Sequence, residues 1–248
     1  MAVVKRKQKS TRSTAKKTAS RTPLSSTRFP NEAAGYRRAR NRLLKAEIAL
    51  RKQVEAVAAL RRKLPVGGTV PEDYLFEEPV DVMGTRRVKL SELFAPGKDA
   101  LILYSFMYGP AMDRPCPMCT SFIDSLEGAA AHVSQRANFA IVAKSPLPRI
   151  LTFARGRGWR HLKFLSSAGN NYNRDYFGES PEGNQWPILN VFVKQKGKVY
   201  HSWGSELMFV KPEKGQDSRH VDLIGPLWNL LDLTPQGRGT NWHPKLEY

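Results

Sequence analysis

Ala100-Leu101-Ile102-Leu103-Tyr104-Ser105-Phe106-Met107-Tyr108 is an almost unbroken apolar run, and Cys116-Pro117-Met118-Cys119 follows it a few residues later. Beyond the cysteines, apolar residues recur at Cys119, Phe122, Ile123, Leu126, Ala130 and Val133, the spacing of one helix face. The reading is a buried strand over 100–108 that hands over, across a dithiol, to a helix over 117–134. Such a handover suits thiol–disulfide chemistry. The free N–H groups and positive dipole end of a helix N-terminus stabilise a thiolate, which is the reactive species. Pro117 fits the first helical turn, where its missing N–H is an orphan in any case. Cys116 then takes the N-cap position, with Cys119 one turn inside on the apolar face. The expected roles are attack by Cys116 and resolution of the mixed disulfide by Cys119.

Outward from this core, Phe139-Ala140-Ile141-Val142-Ala143 reads as a second buried strand. Together the three elements make a βαβ unit, whose strands should be parallel with a right-handed crossover. Pro146 to Arg157 reads as a helix, 166–186 as a long Gly/Asn/Ser/Pro-rich loop, and Ile188–Val193 with Val199–Trp203 as a β-hairpin. A last helix fits Val221 to Leu231. Upstream, Tyr74-Leu75-Phe76 and Val88-Lys89-Leu90 read as turn-rich approach strands. The order βαβ, helix, antiparallel hairpin, helix, with the dithiol opening the first helix, is that of an α/β thioredoxin-like fold: a mixed central sheet flanked by helices.

The net charge of +18 invites a nucleic-acid reading until it is located. Residues 1–64 hold nineteen Lys and Arg against three acids, and residues 65–248 hold twenty-one against nineteen. The basicity belongs to an N-terminal extension. Residues 1–30 carry too little apolar surface to offset their ordering entropy and read as a disordered basic arm. Residues 31–65 read as one amphipathic helix, with Tyr36, Leu43, Leu50, Val57 and Leu64 seven apart. Four heptads admit a coiled coil in a homodimer, and packing back onto the domain is equally consistent. The expected organisation is thus an arm (1–30), a helix (31–65), a thioredoxin-like domain (66–239) and a C-terminal tail (240–248). No apolar run approaches bilayer length, so no membrane partner is expected. The first thirty residues lack a secretory leader's apolar segment, which places the cysteines in a reducing compartment, the cytoplasm. A disulfide closing so small a loop would add only about 2 kcal/mol through the unfolded state, a weak structural reason for these two cysteines.

Two other readings of the cysteines are inert core thiols and half of a zinc site. A zinc site needs two further ligands, and His132, His161, His201, His220 and His243 show no H-x3-5-H pairing. No metal or cofactor is therefore expected. Arg114 and Asp113, just before Cys116, would push its pKa in opposite directions. His132 and His201 are proton-shuttle options, each read more simply as a core or strand histidine. The loop segment 170–177, rich in Asn and Tyr, reads as a packed surface loop rather than a groove wall.

The chain also resembles the thioredoxin-like family catalogued as domain of unknown function 899. The similarity is carried by Leu103-Tyr104-Ser105-Phe106-Met107-Tyr108-Gly109-Pro110, Cys116-Pro117-Met118-Cys119, Gly158-Trp159 and Phe164-Leu165-Ser166-Ser167. It continues in Lys198-Val199-Tyr200-His201-Ser202-Trp203 and Leu231-Asp232-Leu233-Thr234-Pro235-Gln236-Gly237-Arg238. The resemblance implies dithiol–disulfide redox work. It also implies a cis-proline beside the dithiol at Trp186-Pro187, whose backbone would pair with an extended substrate. Two departures from thioredoxins are plain: Arg114-Pro115 stands where a tryptophan usually precedes the pair, and Pro117 follows the first cysteine rather than preceding the second. The function expected is thiol–disulfide exchange with a protein or small-molecule disulfide and an external reductant. The alternatives are a peroxiredoxin-like peroxide reductase, and a non-catalytic adaptor whose residues 1–64 bind a polyanion.

Overall fold

The computed structural model describes residues 24–80 and 84–247. The basic arm's first 23 residues, expected to be disordered, lie outside the described part. Two compact units divide the chain, Met1–Arg62 and Lys63–Tyr248. The first contains helix α1 (Ala34–Arg62), none of whose residues is buried. It begins later than the expected Asn31 because Asn31 takes a left-handed φ of 58°. Glu32, beside it, accepts the Phe29 N–H at 3.3 Å and pairs with Arg37.

The second unit holds a seven-stranded sheet. Its elements are β1 (Leu75–Val80), β2 (Gly84–Lys89), β3 (Ala100–Ser105), α2 (Pro117–Val133), β4 (Asn138–Ala143) and α3 (Leu147–Arg157). They continue as β5 (Phe164–Ser166), α4 (Tyr172–Asp175), β6 (Leu189–Gln195), β7 (Lys198–Gly204) and α5 (Pro226–Leu231). The sheet order is β2-β1-β5-β4-β3-β6-β7. Strands β3, β4 and β5 run parallel, and β6 returns antiparallel beside β3. The fold is thioredoxin-like, as expected.

Alternation along the strands sends side chains to two cores. Tyr104, Ile141 and Phe164 join Phe122, Ile123 and Ile150 on the side of α2 and α3. Leu101, Leu103, Val142, Leu165 and Phe192 pack on the opposite side with Phe76 and Tyr172. Two parts of the expected layout change here. The long loop contains α4, whose Tyr172 is wholly buried against Phe76, Tyr74 and Tyr176. The expected helix 221–231 forms only from Pro226, because proline disfavours helical backbone in the residue before it and cannot donate to the preceding turn. Gly225, at the N-cap, is also a point of close approach: a Cβ there would sit 3.2 Å from the Phe122 ring.

At the outer edge of β7, residues 68–70 run alongside the strand. The Val70 N–H donates to Val199 O at 3.1 Å and the His201 N–H to Gly68 O at 2.9 Å. A Cβ on Gly67 would lie 2.2 Å from the His201 carbonyl oxygen, so this approach requires glycine.

Candidate functional site

The dithiol lies where β3 ends and α2 begins. Cys116 is the N-cap of α2, with extended backbone (φ −60°, ψ 125°) and Pro117 at the first helical position. Its N–H donates to Met107 O at 3.0 Å, and its carbonyl accepts from both the N–H (3.0 Å) and the hydroxyl (2.9 Å) of Thr120. These bonds fix the turn that presents the sulfur. Cys116 is half-buried, whereas Cys119 is 3% exposed and belongs to the core on the α2 side. Both are free thiols.

The two sulfurs differ sharply in electrostatics. A hydrogen bond from the Cys119 thiol lowers the Cys116 pKa to about 6; burial opposes this, and the N–H groups of Cys119 and Met118 reinforce it. Burial pushes Cys119 well up, and the bond to Cys116 holds its proton in place. The Tyr104 hydroxyl and the Met107 N–H act on Cys119 in the opposite sense. Tyr104 is itself 2% exposed, and burial followed by the neighbouring Cys119 raises its own pKa. Tyr104 is a site residue that sequence reasoning missed. Inside an apolar run a tyrosine reads as core, and its partner three residues into α2 becomes visible only in three dimensions.

Cys116, Cys119 and Tyr104 border a cleft of about 420 Å³. Trp186 and Pro187 stand on its rim, and the register explains why: Leu189 pairs with Tyr104, so the chain entering β6 arrives beside the end of β3. The expected position of these two residues is therefore found, but the cis bond is not. The Trp186–Pro187 peptide is trans, the isomer X–Pro bonds prefer by about 0.5–1 kcal/mol. The Trp186 N–H is held by Gly178 O at 3.0 Å, and Ile188 O accepts from Ser105 at 2.8 Å.

The far wall of the cleft was not foreseen. It consists of Met208, residues 217–222, Gly225, Leu227, Trp228 and, from the supposed tail, His243 and Pro244. The tail continues past the dithiol: Leu246 O accepts from Arg157 at 2.8 Å, and Glu247 pairs with Arg114. Arg114 thus faces Glu247, and the groups that shift Cys116 are those of α2 itself. His220, on the same wall, has Nδ1 3.2 Å from the Ser218 hydroxyl; burial lowers its pKa, and the Pro187 carbonyl resists this. Arg149 of α3 braces the segment leading to Cys116, donating to Asp113 O at 3.0 Å and covering the Tyr108 ring at 4.4 Å.

The two histidines singled out from sequence lie elsewhere. His132 is exposed at the last turn of α2. His201 sits on β7 with Nε2 2.9 Å from Asn190 Oδ1, and burial lowers its pKa. Among the described residues, no group of three His, Cys, Asp or Glu side chains could hold a metal ion. Also among the described residues, no helix is long and apolar enough to cross a membrane.

A thioredoxin-like sheet with two free thiols at a helix N-terminus places the chain among the thioredoxin-like proteins. The chain belongs to the family described as bacterial protein of unknown function (DUF899), whose profile matches residues 26–248. No curated protein matches the sequence. Among solved structures it is similar to thioredoxin peroxidase I of Plasmodium yoelii, at 20% identity and TM-score 0.43, over 73% of this chain and 100% of that one. It is also similar to peroxidoxin BcpB from Mycobacterium tuberculosis, at 18% identity and TM-score 0.39, over 64% and 93% of the two chains. A third likeness is to AhpC of Enterococcus faecalis, at 11% identity and TM-score 0.41, over 54% and 77%.

The Cys116 environment has a direct pH consequence. Alkylation by iodoacetamide, followed by peptide mass mapping, should label Cys116 first. Its rate should rise with pH through a midpoint of about 6 and then level off. By linkage, ionisation of this group favours the folded state fully above the ordinary thiol pKa of 9.0, and that contribution is lost as pH falls through about 6. A midpoint at the ordinary thiol value would show that the neighbouring Cys119 thiol and the N–H groups do not act on the sulfur.

Proposed function

We propose that the protein is a thiol–disulfide oxidoreductase. The observation that supports this reading is the asymmetry of the pair: one half-buried thiol drawn toward the thiolate beside a buried thiol held protonated, both bordering one cleft. The Cys116 thiolate attacks one sulfur of a disulfide RSSR, forming Cys116–S–S–R and expelling RS⁻, which takes up a proton. Cys119 then loses its proton and attacks the Cys116 sulfur, forming the Cys116–Cys119 disulfide and releasing the second RSH. The substrate is reduced by two electrons and the protein oxidised by two. An external dithiol returns the pair to its reduced form.

Tyr104 is a positioning residue in this scheme, because its hydroxyl favours the Cys119 thiolate that the second step requires. The chemistry calls for a reducing compartment, which we take to be the cytoplasm. The basic segment 1–64 would serve polyanion binding apart from the redox step.

The test is a titration of the reduced protein with a small disulfide, followed by intact mass. One equivalent should remove two protons' mass without leaving an adduct, and dithiothreitol should reverse the change. Faster oxidation by hydrogen peroxide than by disulfides would replace this reading with peroxide reduction. Inert thiols would leave the adaptor reading.

A further inference from the structure

Two features of the cleft bear on what reaches Cys116. The first is its walls. Met107, Met118, Phe122, Met208, Leu227 and Trp228 face the space beside the sulfur. The charged lining side chains are Asp217, Arg219 and Asp222. They are engaged with one another and with their surroundings: Asp217 accepts the Arg219 N–H at 2.9 Å, Arg219 bonds Asp222 at 2.8 Å and Asp232 at 3.1 Å, and Arg238 bonds Asp222 at 2.8 Å. A carboxylate-bearing substrate would therefore meet two acids and a guanidinium already committed to carboxylates. At about 420 Å³, the space lies toward the small end of the roughly 300–1,000 Å³ typical of small-molecule sites.

The second feature is the backbone beside Pro187. Recognition of an extended protein segment by strand pairing needs free N–H and C=O groups there. The Trp186 N–H is bonded to Gly178 O, Pro187 has no N–H, its carbonyl faces His220, and the Ile188 carbonyl is bonded to the Ser105 N–H. These four groups are not open to strand pairing, which disfavours that mode of recognition.

We infer that the disulfide taken by Cys116 is a small, uncharged, apolar molecule rather than a protein segment or a carboxylate-rich peptide disulfide. This rests on the exchange reading above and gives that reaction its substrate class. The aliphatic and aromatic walls supply contact to the organic groups flanking the S–S bond. The first leaving group is expelled as RS⁻ and takes up a proton from solvent at the open side of the cleft, leaving as neutral RSH.

The experiment compares 4,4′-dithiodipyridine, neutral and aromatic, with glutathione disulfide. The rate of each with Cys116 of the full chain is divided by its rate with 2-mercaptoethanol, an uncharged thiol, which removes intrinsic reactivity. The normalised rate for the neutral disulfide should exceed that for glutathione disulfide by about tenfold or more, the order of discrimination that modest apolar contacts provide. Met208→Asp, with native circular dichroism verified, should erase most of that preference, and Leu227→Asp serves if the first variant misfolds. Equal normalised rates, with the internal disulfide still forming, would overturn the apolar-substrate inference and leave the exchange reading standing. Failure of Cys116 to react with either disulfide would overturn the exchange reading itself.

Discussion

Cys116→Ser is expected to abolish disulfide exchange, by about a thousandfold or more, because a serine hydroxyl is not ionised at neutral pH and cannot replace the nucleophile. Cys119→Ser should have a different phenotype. The attack step survives and the release step does not, so Cys116–S–S–R adducts should accumulate and be visible by intact mass. The two phenotypes follow from position. Cys116 stands at the N-cap, and Cys119 is buried one turn inside with its proton held toward Cys116. Equal trapping by both variants would mean that the sulfurs are interchangeable and would overturn this assignment of roles.

Phe192→Ala should be strongly destabilising on the α4 side of the sheet. Phe192 is fully buried on β6, with its ring 4.9 Å from Tyr176, 6.1 Å from Tyr172 and 5.4 Å from His201. Removing a buried aromatic ring typically costs about 3–5 kcal/mol, part transfer and part cavity. For a domain of this size that corresponds to a melting temperature lower by roughly 6–20 °C. Thermal unfolding by circular dichroism measures it. A drop of only a degree or two would mean that Tyr172 and Tyr176 collapse into the space.

The parts of this architecture legible in the sequence are those set by local pattern. The run 100–108 and the 3.6-residue recurrence after Cys116 mark β3 and α2, and the hairpin β6–β7 shows in its turn, Lys196-Gly197. Strand β5 is too short for such a signal: it has three residues, and its identity comes from pairing with β4. The cleft is harder still. One side follows from the Cys116–Cys119 spacing and from Trp186-Pro187, but the other is assembled from turns and a chain end more than ninety residues away from Cys116 in sequence. Those turns carry polar residues such as Asp217 and Arg219, which read locally as solvated loop. The trans bond at Pro187 is a further instance. The resemblance puts the proline beside the dithiol, where the cleft has it, while the isomer it implies is not the one found.

The segment that runs beside β7 also bears on self-association. An uncovered outer strand offers its row of N–H and C=O groups to any passing chain and can seed intermolecular sheets. Here the Val199 carbonyl and the His201 N–H are taken up by residues 68–70, and at the opposite end β2 carries Arg86, which pairs with Glu78, together with Arg87 and Lys89. One border is thus sealed by hydrogen bonds and the other guarded by like charge. Because Gly67 permits the close approach at β7, a side chain there would push residues 68–70 away and reopen a template for intermolecular strand pairing.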